Sequence, residues 1–375
     1  MSDAARGRFQ PAASRLAHRL RREARRLRNH VDVRSDTEFI THAYRRLLKR
    51  EPDRDGLRHY RGMLQNGAAR EDVLRSLALS DESIGTLLRE EPARNMGAAL
   101  YLDYPVTPTP RAGWGKPAQP EIARLLEAGR ERYREWLCAI ADCADELSRI
   151  PGAPDPRRVG PAWVNGWLPA LDSAALYGFV TRLRPRRYLE IGSGNSTLFA
   201  RQAILDHDLD TNVTSIDPAP RAEIDAIVDV CIRRPLEATD TSMFDELESG
   251  DMLFFDGSHR CMTNSDATVM FTEILPRLAP GVLVQIHDIW LPDDYPPEQA
   301  NRIYSEQYLL ATMLLAGGMG YEVILPGWYA ANDAALAEVL QPLWRRLDAP
   351  GLETHGCSFW MRRCAVVPET TGSAR

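Results

Sequence analysis

From Arg187 to Arg363 the chain repeats one unit, a short apolar run followed by a polar turn and then a helical stretch. The runs are RYLEI, NVTSI, a run near VDVCI, DMLFF, GVLVQI, YEVIL and CSFWMRR. Near-continuous apolar strands of this length are buried on both faces, and strands that alternate with helices must run parallel. The pattern therefore predicts an α/β, doubly wound, Rossmann-like sheet of seven strands with helices on both faces. A helix is expected from Asp172 to Leu183, ending before Pro185, with another from about Glu298 to Leu315. A further one starts near Ser196.

In such sheets ligands sit outside the carboxyl ends of the strands. The first run ends in YLEIGSGNST, residues 188–197, where Gly192 and Gly194 let backbone N–H groups approach a ligand ahead of a helix N-terminus. A dinucleotide fingerprint needs a third glycine where Thr197 stands, and Glu190 beside the turn suits a cationic amino acid moiety better than a pyrophosphate. Asp217, 27 residues after Glu190, ends the second run, where a carboxylate can accept both hydroxyls of a ribose. An NAD-dependent enzyme stays a rival on that residue alone. Asp256 ends the fourth run and His287-Asp288 the fifth. His259 and His287 carry rings able to act near neutral pH, which makes them candidate bases.

The rest of the chain is organised around this region. Residues 1–34 hold ten arginines against three acids, a net +7, so the remainder carries −13 within the overall −6. That acidic body excludes nucleic acid as a partner on charge grounds. RLAHRLRREARRLRNHV places Leu16, Leu20, Ala24, Leu27 and Val31 on one helical stripe, a basic arm over residues 1–35. Such an arm suits a membrane surface or a protein partner, and equally a solvated helix leaning on its own protein. Residues 36–92 read as a small all-α domain, 93–160 as a Pro-rich connector with one helix from about Glu121 to Ile150, and 365–375 as a disordered tail. The catalytic domain is expected over 161–364. Six scattered cysteines without CxxC or zinc-like spacing, and the absence of a signal-like start, point to a reducing cytoplasmic setting, with the arm a candidate contact to the inner membrane face.

Two resemblances add to this. Tyr44 to Arg50, Pro52-Asp53, Gly56-Leu57 and Ser80 resemble a bacterial helical domain of unknown function that recurs beside glycosyltransferases and in surface-layer proteins. EIGSGNST, SIDP at 215–218, FDGSH at 255–259 and IHDI at 286–289 resemble class I S-adenosylmethionine-dependent methyltransferases, with W-x-N-G-W at 163–167 and YSEQYLL at 304–310 similar to a branch often met near polysaccharide and glycosyltransferase genes. The resemblance implies a seven-stranded class I sheet and S-adenosylmethionine as cofactor. Gly192, Ser193 and Gly194 would pass under its methionine part, and Glu190 would anchor the amino group. Asn195 and Ser196 would receive the carboxylate, Asp217 the ribose and Glu237 the adenine, with Asp256 near the methionine end. His287, His259 and Asp288 are the implied catalytic residues. Metal-dependent relatives carry acids where Asp256, His287 and Asp288 stand, so magnesium or manganese is a further expectation, weakened by the histidine. Trp163, Asn165, Trp167, Tyr304 and Gln307 are candidate contacts for a small-molecule or glycan acceptor. A catalytically silent scaffold of a glycan-assembly system is the alternative.

Overall fold

The computed structural model describes residues 35–80 and 107–365, apart from 79, 156, 158, 221 and 348. The chain divides into two compact units, Met1–Val106 and Thr107–Arg375. Residues 1–34 and 366–375, which hold the basic arm and the tail, lie outside the described residues.

Among the described residues of the first unit three helices, Asp36–Leu47, Arg54–Gln65 and Arg70–Ala78, close on a core that includes Phe39, Ile40, Tyr44, Val73 and Leu77. Asp53 caps the second helix by accepting the Gly56 backbone N–H at 2.7 Å, so the DRDG stretch is a helix start. Gly56 is required there, because a Cβ would lie 2.1 Å from the Tyr44 hydroxyl.

In the second unit the seven strands are β1 (Arg187–Ile191), β2 (Asn212–Ile216), β3 (Val230–Ile232), β4 (Met252–Phe255), β5 (Leu283–Ile286), β6 (Tyr321–Pro326) and β7 (Phe359–Arg363). Their order in the sheet is β3-β2-β1-β4-β5-β7-β6. β1 to β5 pair in parallel, and β7 runs antiparallel between β5 and β6. Strand order therefore reverses between β1 and β4, which opens the ligand crevice beside the glycine turn. Helices cover both faces. Tyr188, Phe254, Phe255 and Trp360 are fully buried, each such side chain stabilising the fold by about 1.5–3 kcal/mol.

Two expected helices are broken in the structure. The accessory helix is three pieces, Pro120–Glu127, Arg130–Ala141 and Ala144–Leu147, with the first break at Gly129, where a Cβ would meet the Tyr133 hydroxyl at 2.3 Å. Tyr133, Leu137, Ile140 and Leu147 share the core of the sheet. After β5 the expected single helix becomes Pro297–Ala300 and Glu306–Leu315, because the backbone N–H groups of Ser305 and Glu306 turn away to the His259 carbonyl at 2.8 and 3.3 Å. Among the described residues no helix is long and apolar enough to cross a membrane.

Candidate functional site

The glycine turn follows β1 and leads into the helix Asn195–Asp206. Gly192 has φ 77°, and a Cβ there would lie 1.8 Å from the Asp256 carbonyl oxygen, so β1 and β4 approach closely only because the residue is glycine. Asp217, after β2, accepts the Ser193 backbone N–H at 2.8 Å on one oxygen and the Ala219 N–H at 2.7 Å on the other. These bonds fix its carboxylate beside the turn. Ser193 is tied further through its hydroxyl to Ser215 at 2.8 Å.

Glu190 lies beneath the turn and is fully buried. One of its oxygens accepts from the Thr197 hydroxyl, the other from the Tyr188 hydroxyl at 3.2 Å, and Thr197 in turn accepts the Gly194 N–H at 3.0 Å. Burial pushes its carboxyl up to about 7, against hydrogen bonds from Ser196, Thr197 and Tyr188 that favour the charge. In this geometry Glu190 supports the helix start from below. Ser196 is buried in the same contact, and Asn195 opens the helix half-buried.

At the carboxyl ends of β4 and β5 the two histidines meet the two aspartates. His259 Nε2 lies 3.2 Å from Asp256 and 3.5 Å from Asp288, and its Nδ1 lies 2.5 Å from Glu306, which is completely buried. His287 places Nδ1 3.5 Å from Asp256 and 3.8 Å from Asp288, while Nε2 lies 3.3 Å from Asp172. Asp172 is itself held by backbone N–H groups of Cys357 and Ser358, the shortest bonds being 2.9 Å. Each imidazole thus has a carboxylate behind it and the Asp256–Asp288 pair in front. Behind His259 stands Glu306, behind His287 Asp172.

This arrangement corrects the expectation that either ring titrates near neutrality. Burial alone would lower both values, but Glu306 and Asp256 outweigh it at His259, and Asp256 and Asp172 outweigh it at His287. Both rings are held well above the ordinary 6.5. Burial likewise works against the Asp256 charge, and the two imidazoliums overcome it and hold that carboxyl far below its usual range. Four carboxyl groups face the two imidazoles, with burial raising that of Glu306 above its ordinary value against the pull of His259, and such an acid-rich edge suits a cationic ligand.

Among the described residues, the side chains that converge closely enough to share an ion are Asp172, His287 and Cys357, their ligand atoms within 4.8 Å of one another. Only His287 of the expected set Asp256, His287 and Asp288 belongs to that group. Cys357 is a buried thiol, 3.5 Å from His287 Nε2, and burial pushes it well above its ordinary value. A sulfur and nitrogen donor set fits magnesium and manganese poorly, since both prefer oxygen.

The remaining expected residues are placed elsewhere. Glu237 is exposed on the turn Leu236–Ala238. Trp163 is a core residue whose indole N–H donates to the Leu147 carbonyl, and Asn165 closes its own loop through Leu168 and Trp167. Trp167 is 57% exposed. Tyr304 packs on His259 at 4.5 Å between ring centres, under Arg260 and Arg302, and Gln307 is buried where its side chain accepts the Trp290 backbone N–H. Asp172, Glu306 and Cys357 are site residues that the spacing of motifs did not reveal. The available signal was an acid within a largely apolar helical stretch, such as Asp172 in ALDSAAL.

Strand order and glycine turn together define a Rossmann-like sheet of the class I methyltransferase type. Residues 189–289, which run from β1 through the glycine turn to just past Asp288, match a family described as a methyltransferase domain. Residues 27–87 match a domain of unknown function, DUF4214. No curated protein matches the chain. Similar solved structures include the Podospora anserina methyltransferase PaMTH1 bound to SAH, at 14% identity over 60% of this chain and 88% of that one, with a TM-score of 0.34. Another is the O-methyltransferase TomG from Streptomyces achromogenes, involved in tomaymycin synthesis and in complex with SAM, at 16% identity over 60% of this chain and 90% of that one, with a TM-score of 0.30. At such distances neither bears on the site.

Proposed function

We propose that the chain is an S-adenosylmethionine-dependent methyltransferase acting on a hydroxyl, with a saccharide or glycan-linked molecule as acceptor. The observation that carries the reading is the match over residues 189–289, which spans the glycine turn, Asp217, Asp256 and the two histidines. When bound, the cofactor supplies a methyl group activated by a sulfonium. Asp217, already oriented by Ser193 and Ala219, would accept the ribose hydroxyls, and the Gly192–Gly194 backbone would border the methionine part. The acid-rich edge around Asp256 and Asp288 favours a cationic sulfur there.

His287, once neutral, would take the acceptor proton at Nδ1, the nitrogen that faces Asp256 at 3.5 Å and Asp288 at 3.8 Å. Asp172 holds the opposite nitrogen and so fixes the ring. His259 would balance the charge of Asp256 and Asp288. The donor set of Asp172, His287 and Cys357 suits neither magnesium nor manganese, so the proton transfer would rest on the side chains alone. The basic arm would bring the enzyme to a membrane surface or a protein partner, in a cytoplasmic setting. The test is release of S-adenosylhomocysteine with hydroxyl acceptors, run with EDTA and with magnesium or manganese. Turnover that survives EDTA is expected. No turnover across a broad panel of neutral glycosides and glycans, in a sample that binds the cofactor, would favour the silent scaffold instead.

A further inference from the structure

The expected acceptor tryptophans, Trp163 and Trp167, belong to core and surface, yet other tryptophans build a cavity at the same sheet edge. Trp290 follows β5, Trp328 follows β6 and His355 precedes the antiparallel β7, so all three lie at the carboxyl edge of the parallel strands. With Trp114 and Gln299 they line a cavity of ≈ 590 Å³. Pockets for small molecules occupy about 300–1,000 Å³.

The aromatic walls are fixed in advance. Trp114 and Trp328 stack at 5.4 Å, and Trp290 meets Trp328 at 4.6 Å and stacks on His355 at 5.9 Å. The Trp114 indole N–H donates to the Asp294 carbonyl at 2.9 Å and that of Trp328 to the Asp293 carboxylate at 2.9 Å. Gly113 permits this clasp, because a Cβ there would lie 2.4 Å from the Asp293 carboxyl carbon. Rigid faces lose little entropy when a ligand arrives.

Two polar atoms of the lining residues remain unpaired. Trp290 Nε1, a donor, and Gln299 Oε1, an acceptor, are buried without hydrogen-bond partners. Gln299 also donates to Asp288 at 3.3 Å, and the lining residue Leu171 adjoins Asp172, so the cavity borders the histidine–aspartate cluster. Among the described residues no lysine or arginine lines it, and the one lining carboxylate is Glu298.

We propose that this cavity receives the acceptor, and that the acceptor enters it as an uncharged, hydroxyl-bearing sugar ring. The assignment rests on the methyltransferase reading. The apolar faces of such a ring match indole faces, and its hydroxyls both donate and accept, as Gln299 and Trp290 require. A phosphate or carboxylate finds no lysine or arginine among the described lining residues, so any anionic group of a larger acceptor stays outside the cavity.

Saturation-transfer NMR on the full chain, without cofactor, tests this with methyl hexopyranosides, a sugar 1-phosphate and choline as probes. Signals from the neutral glycosides are expected. Trp328→Ala should weaken binding roughly 10-fold, about 1.4 kcal/mol, and Trp290→Phe, which keeps the ring and deletes the N–H, by about 3- to 10-fold. Near-UV circular dichroism confirms that both variants are folded. A preference for choline or for the phosphate, or no glycoside signal, overturns the assignment, as does native-like binding by both variants. Parallel titration with S-adenosylmethionine separates the two readings. Cofactor binding without glycoside binding sinks the cavity assignment alone, whereas glycoside binding without cofactor binding sinks the methyltransferase reading and leaves a sugar-binding site.

Discussion

Glu190→Gln turns the burial of one carboxyl into a measurable pH effect. The group ordinarily titrates at 4.5 and is pushed up to about 7 in the folded chain. Below 4.5 the carboxyl is neutral in both folded and unfolded chains, so it costs nothing. As pH rises from there through about 7, the unfolded chain gains from ionising and the folded chain does not, and stability is lost. With each unit worth about 1.4 kcal/mol, the full loss is roughly 3 kcal/mol. Glutamine keeps the shape and cannot ionise, but it offers only one acceptor to the Thr197 and Tyr188 hydroxyls, a cost of about 1–3 kcal/mol at every pH. The variant should therefore be less stable than wild type near pH 5, and the difference should shrink or reverse by pH 8, a swing of roughly 3 kcal/mol. Urea unfolding at the two pH values reads this directly. A difference that stays constant between them would show that Glu190 is already ionised in the folded chain, and would refute the reasoning.

Other outcomes follow from the same geometry. Gly192→Ala places a Cβ 1.8 Å from the Asp256 carbonyl at a positive φ, so urea unfolding should show a loss of more than about 3 kcal/mol, and wild-type stability would contradict the close approach of β1 and β4. The raised values of His259 and His287 contribute stability that is complete below about 6.5 and lost as pH rises through their folded values. For the same reason turnover should climb with pH and inflect above 6.5, since a proton acceptor must first be neutral. Asp172→Asn keeps an acceptor for the Cys357 and Ser358 N–H groups but removes the charge beside His287, so the inflection in kcat/KM should move downward. An inflection that does not move would take His287 out of the proton transfer.

The sheet was legible because each strand is a short apolar run and the acids and histidines of interest stand where those runs end. The breaks at Gly129 and at Ile303–Ser305 were not. Helical periodicity continues across both, although the first break falls at a glycine that Tyr133 crowds and the second needs a distant partner, the His259 carbonyl, to divert the chain. Asp256, His259, His287 and Asp288 could be gathered from sequence, whereas Asp172 and Glu306 come from helices outside the strand-end pattern. Their buried charge is tolerable only beside imidazoliums that a linear reading does not place. The tryptophans were ambiguous for a related reason. Trp163 and Trp167 carried the motif, but indole is as useful in a core as at a ligand, and topology brought Trp114, Trp290 and Trp328 together instead.

Calorimetric titration of S-adenosylmethionine and S-adenosylhomocysteine into wild type and Asp217→Ala, with NADH as the competing ligand, tests the central claim most directly. The account predicts saturable heat with both adenosyl ligands, its loss in the variant and none with NADH. No heat from either adenosyl ligand in a folded wild type, or heat from NADH that depends on Asp217, would contradict it.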